Sequence, residues 1–232
     1  MDLILEGISK AFQLLFSLDP EVLRIALLSL EVSGAATIIS LLIGMSAGTA
    51  IALTSFPGKK ILVSLVNTGM GLPPVVVGLF VSIILWRNGP LGFLGLLYTP
   101  TAMVIGQSVI ATPIVMGITI GAMQNLPAAL RLQILALGAT RLQMVWMLIK
   151  EARLPLMAGV MAGFGGVISE IGASIMLGGN IKGYSRVLTT ATVMETGRGN
   201  FDVAIALSVI LLLFTLIINY VLTHVQQRDR PR

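Results

Sequence analysis

Side chains that could carry chemistry are scarce in this sequence, which excludes several kinds of active site. The 232 residues include no cysteine and one histidine, His224. Thiol chemistry, Cys-ligated zinc and His-based metal sites therefore lack ligands. No GxxxxGKS or GxxxxGKT stretch occurs, so the chain has no P-loop with which to hydrolyse ATP itself. We expect no catalytic residue, no metal and no cofactor in this chain.

The composition is that of an integral membrane protein. Hydrophobic residues make up 56% of the chain and charged residues 11%, with a mean hydropathy of +0.96. Soluble domains carry about 25% charged residues, so a soluble core cannot account for this balance. Charges nevertheless crowd into the stretch ALGATRLQMVWMLIKEARLPLM at 136–157, between two long apolar runs: Arg141, Lys150, Glu151 and Arg153.

Five apolar runs are long enough to cross a bilayer, which takes about 20 residues. They cover 32–54 (with an apolar lead-in from 25), 61–86, 101–123, 154–178 and 203–224. Ahead of them, 1–20 has the periodicity of a short amphipathic helix at the interface, and Asp19 and Pro20 suit the start of the next helix. We predict an all-α polytopic protein with about five transmembrane helices, forming one domain over 1–232.

The basic residues predict how the chain sits in the membrane. With five spans, one side receives nine of them: Lys59, Lys60, Arg131, Arg141, Lys150, Arg153, Arg228, Arg230 and Arg232. The other side receives six: Lys10, Arg24, Arg87, Lys182, Arg186 and Arg198. This bias places the N-terminus outside and the C-terminus and the 124–153 insert in the cytoplasm. The net charge of +5 then reflects loop charges rather than a nucleic-acid surface.

Two features inside the runs could belong to a pathway. Pro73 and Pro74 break the second run near its centre, which a membrane tolerates only where protein or a water cavity satisfies the freed carbonyls. The break either lines a path beside Thr68 or is a packed kink. Glu170 is the one ionisable residue deep in a run, and no basic residue lies in any run to pair with it. We expect it to hydrogen-bond to neighbouring helix ends or to a second copy rather than to bind substrate.

The insert at 124–153 predicts two short helices. Pro127 suits a first helical position, Gly138 a C-cap, and Thr140 an N-cap for a second helix over 141–152. Headgroup anchoring alone would need basic residues but no such corner. The two helices therefore favour a docking surface.

This corner resembles the cytoplasmic loop of permease subunits in ABC importers, which docks an ATPase. That loop reads Glu-Ala-Ala, three residues, Gly, and later Leu-Pro. Gly138 takes the glycine position, and Leu154–Pro155 take the end of the motif. Two features depart from the family pattern. Residues 132–134 read Leu-Gln-Ile instead of Glu-Ala-Ala, and the stretch from Gly138 to Leu154 is about one helical turn longer than usual. The resemblance implies these coupling residues: Leu132, Ala136, Gly138, Ala139, Thr140, Arg141, Leu154 and Pro155.

Two further stretches resemble the molybdate, sulfate and tungstate permeases of this family. They are GMGLPPVVVGLF at 69–80 and ISEIGASIMLGGNIKG at 168–183, and the run after 183 looks closest to bacterial tungstate permeases. The resemblance covers 25–226, which it makes the permease core, and implies a type I importer fold in a bacterial or archaeal plasma membrane. It favours these path or gate residues: Thr68, Gly71, Pro73, Pro74, Ser169, Glu170 and Gly172.

The resemblance implies an assembly and a mechanism. Two copies would pair with two ATPase subunits, which bind ATP and Mg²⁺, and would receive the oxyanion from an external binding protein by alternating access. Five spans are few to enclose a path, so a homodimer is expected from the residues as well. The glycine pairs Gly44–Gly48 and Gly159–Gly163 favour close packing within one copy over dimer contacts.

Several alternatives stay open at this stage. The cargo could be molybdate or sulfate, and a secondary transporter without ATP is a rival, although the charge bias favours one orientation for every copy. A structural subunit without a pathway is disfavoured by the broken second run. On the outside, Lys182, Arg186 and Arg198 could steer an anion, meet a binding protein or be ordinary solvated charges.

Overall fold

The computed structural model describes residues 2–17 and 19–228, and this part of the chain is helical without any strand. Arg230 and Arg232, which the orientation prediction counts, lie outside the described residues. In chain order the elements are α1 (Asp2–Phe16), α2 (Pro20–Leu53), α3 (Lys59–Met70), α4 (Pro74–Leu85), a 3₁₀ turn (Gly92–Leu94), α5 (Pro100–Gln124), α6 (Ala128–Ala136), α7 (Arg141–Glu151), α8 (Arg153–Ile168), α9 (Gly172–Gly178), α10 (Leu188–Gly197) and α11 (Phe201–Arg228).

The start of α2 is as the sequence predicts. The Asp19 carboxylate accepts hydrogen bonds from the backbone N–H groups of Glu21 and Val22, at 2.9 and 3.0 Å, and Pro20 is the first helical residue. The helix then runs unbroken for 34 residues. At 1.5 Å per residue that is about 50 Å, well beyond a hydrocarbon core of about 30 Å. The apolar lead-in therefore belongs to one long helix that tilts or projects from the membrane.

Three helices in the described part of the chain, α2, α5 and α11, are long and apolar enough to span a membrane. The other two predicted spans are each a bent pair of helices, so the total reaches five when each pair is one span. The α3–α4 pair bends by 102° and the α8–α9 pair by 59°. Pro73 and Pro74 predict the first break but not its near right angle. The break beside Glu170, in the run predicted as one helix over 154–178, was not predicted.

Helix α5 is the centre of the molecule and contacts α2, α3, α4, α8 and α9. Its partners reach it through glycines: a Cβ added at Gly44 would lie 2.9 Å from Val115, and one at Gly163 would lie 3.0 Å from the same side chain. At Gly48 an added Cβ would lie 2.9 Å from the carbonyl oxygen of Met116. Both glycine pairs therefore pack within one copy, as predicted.

Helix α1 packs along α11. Gly7 lies against Ile205, Ala11 is buried, and the Lys10 ammonium forms an ion pair with Asp202. The opposite face of α1 exposes large apolar side chains, including Phe12 and Phe16. This two-faced pattern agrees with an amphipathic helix, and its position at the interface stays a prediction. Helix α10 was not predicted; it packs against α11.

Replacing Gly48 with alanine should destabilise the fold, because the new methyl group would press on α5 backbone that cannot move aside. We expect Gly48→Ala to cost about 1–3 kcal/mol. Gly34→Ala, in the same helix, is the matched control: its Cβ would meet nothing within 4 Å, so it should leave stability unchanged or raise it slightly. Thermal unfolding of the purified protein in detergent measures both, and equal midpoints would contradict this packing.

Candidate functional site

The first candidate site is the break between α3 and α4. Backbone N–H groups of Gly71 and Leu72 donate to the carbonyls of Thr68 and Gly69, at 3.1 and 3.3 Å, which tightens the end of α3. Pro73 then has an extended backbone and its carbonyl accepts from Val76, at 2.9 Å, which starts α4. Of the predicted path residues, Thr68, Gly71 and Pro73 are exposed here and Pro74 is partly buried.

The second candidate site is the break between α8 and α9, where Glu170 acts as a helix cap. Its Oε1 atom accepts a hydrogen bond from the backbone N–H of Ala173 at 2.9 Å, and its side chain is buried, with the residue 8% exposed. The hydroxyl of Thr189 donates to the Glu170 carbonyl at 3.1 Å. Glu170 thus bonds to a neighbouring helix end, one of the two roles expected for it. Ser169, beside it, is exposed and donates to the Gly165 carbonyl at 2.8 Å.

The two breaks meet through α4 and α9. A Cβ added at Gly172 would lie 2.5 Å from a methyl group of Val75, and one at Gly78 would lie 2.8 Å from the Cα of Ala173. The half-helices that follow each break are therefore in backbone contact, next to Pro74 on one side and Glu170 on the other. Of the predicted path residues, Gly172 is thereby placed against the first turn of α4, one residue from Pro74.

A polar pair that no sequence pattern predicts lies behind this contact. Gln107 on α5 donates through Nε2 to the Ser174 hydroxyl on α9 at 3.2 Å, and both side chains are buried. Gln107 Oε1 has no hydrogen-bond partner among the described residues. Gln107 is the only amide side chain in the run 101–123, which is the signal that could have found it.

The third candidate site is the corner between α6 and α7, which is held rigidly. Gly138 adopts φ +84°, a left-handed conformation that favours glycine. The N–H groups of Gly138 and Ala139 donate to Leu135 and Ile134, at 3.0 and 3.3 Å, in the Schellman pattern. Thr140 then forms a capping box with Gln143. Pro127 is the N-cap rather than the first helical residue, one position from the prediction, because α6 begins at Ala128.

One face of this corner is buried and the other is exposed and apolar. Ile134, Met144 and Leu148 pack into a cluster with Met123 and Leu156 from the adjoining spans. The opposite face carries side chains that are 85%, 81% and 68% exposed and that line a cavity of about 890 Å³: Leu137, Leu142 and Trp146. An exposed apolar patch on a rigid element is typical of a surface that binds another protein.

The predicted coupling residues fall into two groups. The corner itself presents six, and Ala139 alone among them is partly buried: Leu132, Ala136, Gly138, Ala139, Thr140 and Arg141. Leu154 and Pro155 lie in the first turn of α8, which only Ala152 separates from α7. The Leu154 carbonyl accepts from Gln226 on α11 at 2.9 Å, so a movement of α7 would reach both α8 and α11.

The fold is that of the permease subunits of type I ABC importers. A structure of the MetNI methionine ABC transporter in inward-facing conformations superposes with a TM-score of 0.75 at 18% identity, covering 91% of this chain and 97% of that one. Residues 40–231 match the family described as binding-protein-dependent transport system inner membrane component. The chain belongs to this family, and it is a multi-pass membrane permease of an ABC importer.

Curated relatives extend the similarity over nearly the whole chain. A tungstate uptake system permease protein of Peptoclostridium acidaminophilum is 39% identical over 227 residues, which cover 98% of this chain and all of the relative. A molybdenum transport system permease protein of Escherichia coli K12 is 28% identical over 226 residues, covering 92% of this chain and 98% of the relative. The resemblance to oxyanion permeases, with the tungstate group nearer, is confirmed.

The cap at Glu170 gives a test of what this carboxylate does. Glu170→Ala should destabilise the protein by about 1–3 kcal/mol, because the Ala173 N–H loses the carboxylate that accepts its hydrogen bond inside the fold. Glu170→Gln keeps an acceptor oxygen and should be close to the parent protein. Thermal unfolding in detergent measures both, with Glu31→Ala, at an exposed position of α2, as a control. Equal losses in the alanine and glutamine variants would show that charge, rather than the hydrogen bond, matters.

Proposed function

We propose that this chain is the membrane subunit of an ATP-driven importer whose cargo is a tetrahedral oxyanion, tungstate. The observation that carries the proposal is the 39% identity, over 98% of the chain, to a tungstate uptake permease, against 28% to a molybdenum permease. The shared length includes both broken spans, where a pathway would run. Molybdate or sulfate is the alternative cargo, and competition between the anions separates them.

The proposed motor is a separate ATPase subunit that binds ATP and Mg²⁺ and docks on the α6–α7 corner. Support comes from the exposed apolar side chains of Leu137, Leu142 and Trp146 on a corner whose backbone is fixed. Leu132, at the position where the resembling loop carries an acidic residue, is itself an exposed apolar side chain of this corner. Because the sequence contains no P-loop, ATP hydrolysis is assigned to this separate subunit.

The proposed assembly is a homodimer in a bacterial or archaeal plasma membrane, with the path at the two-fold axis between the α3–α4 and α8–α9 breaks. In this arrangement α1 lies at the lipid interface, the N-terminus is outside and the C-terminus is cytoplasmic. Among the described residues, the buried polar side chains include hydroxyl and amide groups that could bond to an oxyanion, such as those of Ser174 and Gln107, but no Arg or Lys. Tight recognition would then belong to an external binding protein, and the path would bind its cargo weakly.

ATP hydrolysis by the reconstituted complex tests the proposed cargo. The chain, its ATPase and its binding protein are placed in nanodiscs, and tungstate, molybdate and sulfate are added in turn. We expect tungstate to stimulate hydrolysis at lower concentration than the other two. Stimulation by molybdate or sulfate but not by tungstate would overturn the cargo assignment while leaving the ATP-driven importer in place.

Substitutions at the corner test the docking surface. Trp146→Ala should weaken association with the ATPase about tenfold or more, since buried aromatic side chains dominate such interfaces. Phe93→Ala removes another exposed aromatic side chain, on the opposite side in the five-span topology, and should have no effect. Co-purification and surface binding measure both. Equal binding by the two variants would contradict the assignment.

Gly138→Arg probes the same surface by a different route. A Cβ atom there would meet nothing within 4 Å, but the left-handed backbone is strained for arginine and a charge would enter the apolar patch. We expect weaker ATPase association with normal membrane insertion, measured by co-purification and membrane fractionation. Unchanged association would remove the coupling role from this corner.

A further inference from the structure

The loop between α9 and α10 carries a cluster of charged side chains that the proposed pathway does not use. Residues 179–187 lie beside the first turns of α2, at the end of the molecule opposite the α6–α7 corner in the five-span topology. Between the loop and α2 is a cavity of about 240 Å³. Its charged lining consists of three basic residues and one acid: Arg24, Lys182, Arg186 and Glu21.

The loop is rigid. The Ser185 hydroxyl, fully buried, donates to the Gly178 carbonyl and accepts from the N–H of Ile181 at 3.1 Å. Three consecutive N–H groups, those of residues 184–186, point at the Ile181 carbonyl at 3.0 to 3.1 Å. The Ser29 hydroxyl of α2 accepts from the N–H of Leu188 at 2.8 Å, which ties the loop to the helix. The charged side chains therefore start from fixed backbone positions.

Arg186 is held in place largely by neutral groups. Its side chain is 12% exposed, and its Nε and Nη2 atoms donate to the side-chain and backbone oxygens of Asn180 at 3.2 and 3.4 Å. Asn180 also accepts from the Thr190 hydroxyl at 3.0 Å, which fixes it in turn. The Glu21 carboxylate approaches Arg186 only to 3.8 Å. A mostly buried guanidinium is thus oriented while its charge is incompletely neutralised.

The cavity holds more positive than negative charge. The Glu21 carboxylate forms an ion pair with the Lys182 ammonium at 2.8 Å, so the same carboxylate is shared by Lys182 and Arg186. Arg24 has no ion pair among the described residues, and its Nη1 lies 3.6 Å from the position that a Cβ on Gly183 would take. Three positive charges and one negative charge leave a net charge of +2. Other acids nearby are already engaged: Asp19 caps α2, and Glu195 binds Arg198.

We propose that this cavity binds an anionic tetrahedral oxyanion group. The arginine and lysine side chains that line this small space outnumber its one carboxylate, which matches the charge and the several acceptor oxygens of such a group. Two sources share this chemistry: a free oxyanion arriving from outside, or the phosphate of an anionic lipid. If the ligand is a free oxyanion, its assignment as tungstate rests on the proposed function. The existence of the site does not rest on the proposed function.

Direct binding to the full chain tests the site without any ATPase. The chain is placed in phosphatidylcholine nanodiscs, dialysed against tungstate, and the bound tungsten is counted by elemental mass spectrometry. Arg24→Gln and Lys182→Gln should each raise the dissociation constant about tenfold, because each removes one charged donor to a dianion. Arg87→Gln, an exposed arginine outside the cavity, is the matched control and should stay within about twofold of the parent.

Nanodiscs that contain phosphatidylglycerol separate the two sources. If this lipid is retained by the parent protein, lost in the two cavity variants, and displaces tungstate, the site holds a lipid phosphate. If tungstate binding is unaffected by the lipid, the site holds the free oxyanion; either result supports the inference. The inference is overturned if the parent protein binds neither tungstate nor the anionic lipid. It is also overturned if the cavity variants bind both as tightly as the parent does.

A third pattern would also overturn it: cavity variants that bind anions normally but lose association with the external binding protein. The charges would then form a protein contact. Failure of the site is distinguishable from failure of the proposed function, because the site is measured on the chain alone and the function by ATP hydrolysis of the complex.

Discussion

A polypeptide within a bilayer must satisfy its backbone hydrogen bonds without water, and this constraint governs where the chain can depart from a helix. Within the candidate spans of the described residues the chain departs from a helix twice, before Pro74 and at Glu170. At the first break proline removes donors that would otherwise be orphaned. At the second, a carboxylate accepts the N–H of Ala173 and a threonine hydroxyl donates to the freed carbonyl. Each break therefore lies where nearby residues either remove or bond the backbone groups that the break would leave without partners.

The two breaks shape the rest of the molecule. The half-helices α4 and α9 that follow them pack together through Gly78 and Gly172, and α5 supports both from behind through Gln107 and close-packed apolar side chains. Long helices therefore form the frame, and short bent ones form the centre. Short half-helices that contact each other over a few residues can rearrange at less cost than a continuous helix, because fewer packed contacts are lost. Alternating access needs elements of this kind.

Much of this was accessible from the sequence, and the exceptions have physical reasons. Apolar length predicts the spans, and Asp19, Gly138 and Thr140 predict helix ends, because caps are local interactions. The 102° bend, the break at Glu170 and helix α10 depend on tertiary contacts, so local patterns do not encode them. Two arrangements bring together residues that are far apart in the chain. Gln107 bonds to Ser174, and Arg24 lines the same cavity as Lys182. One sequence shows that such residues exist but not that they meet.

We propose that ATP, hydrolysed by a partner on the α6–α7 corner, drives an oxyanion through this chain. Tungstate uptake into proteoliposomes that contain the chain, its ATPase and external binding protein tests it most directly. We predict accumulation against a gradient when ATP is enclosed, none with ADP, and slower accumulation with the Trp146→Ala variant. Equal accumulation with ATP and ADP, driven instead by an ion gradient, would contradict the account and identify a secondary transporter.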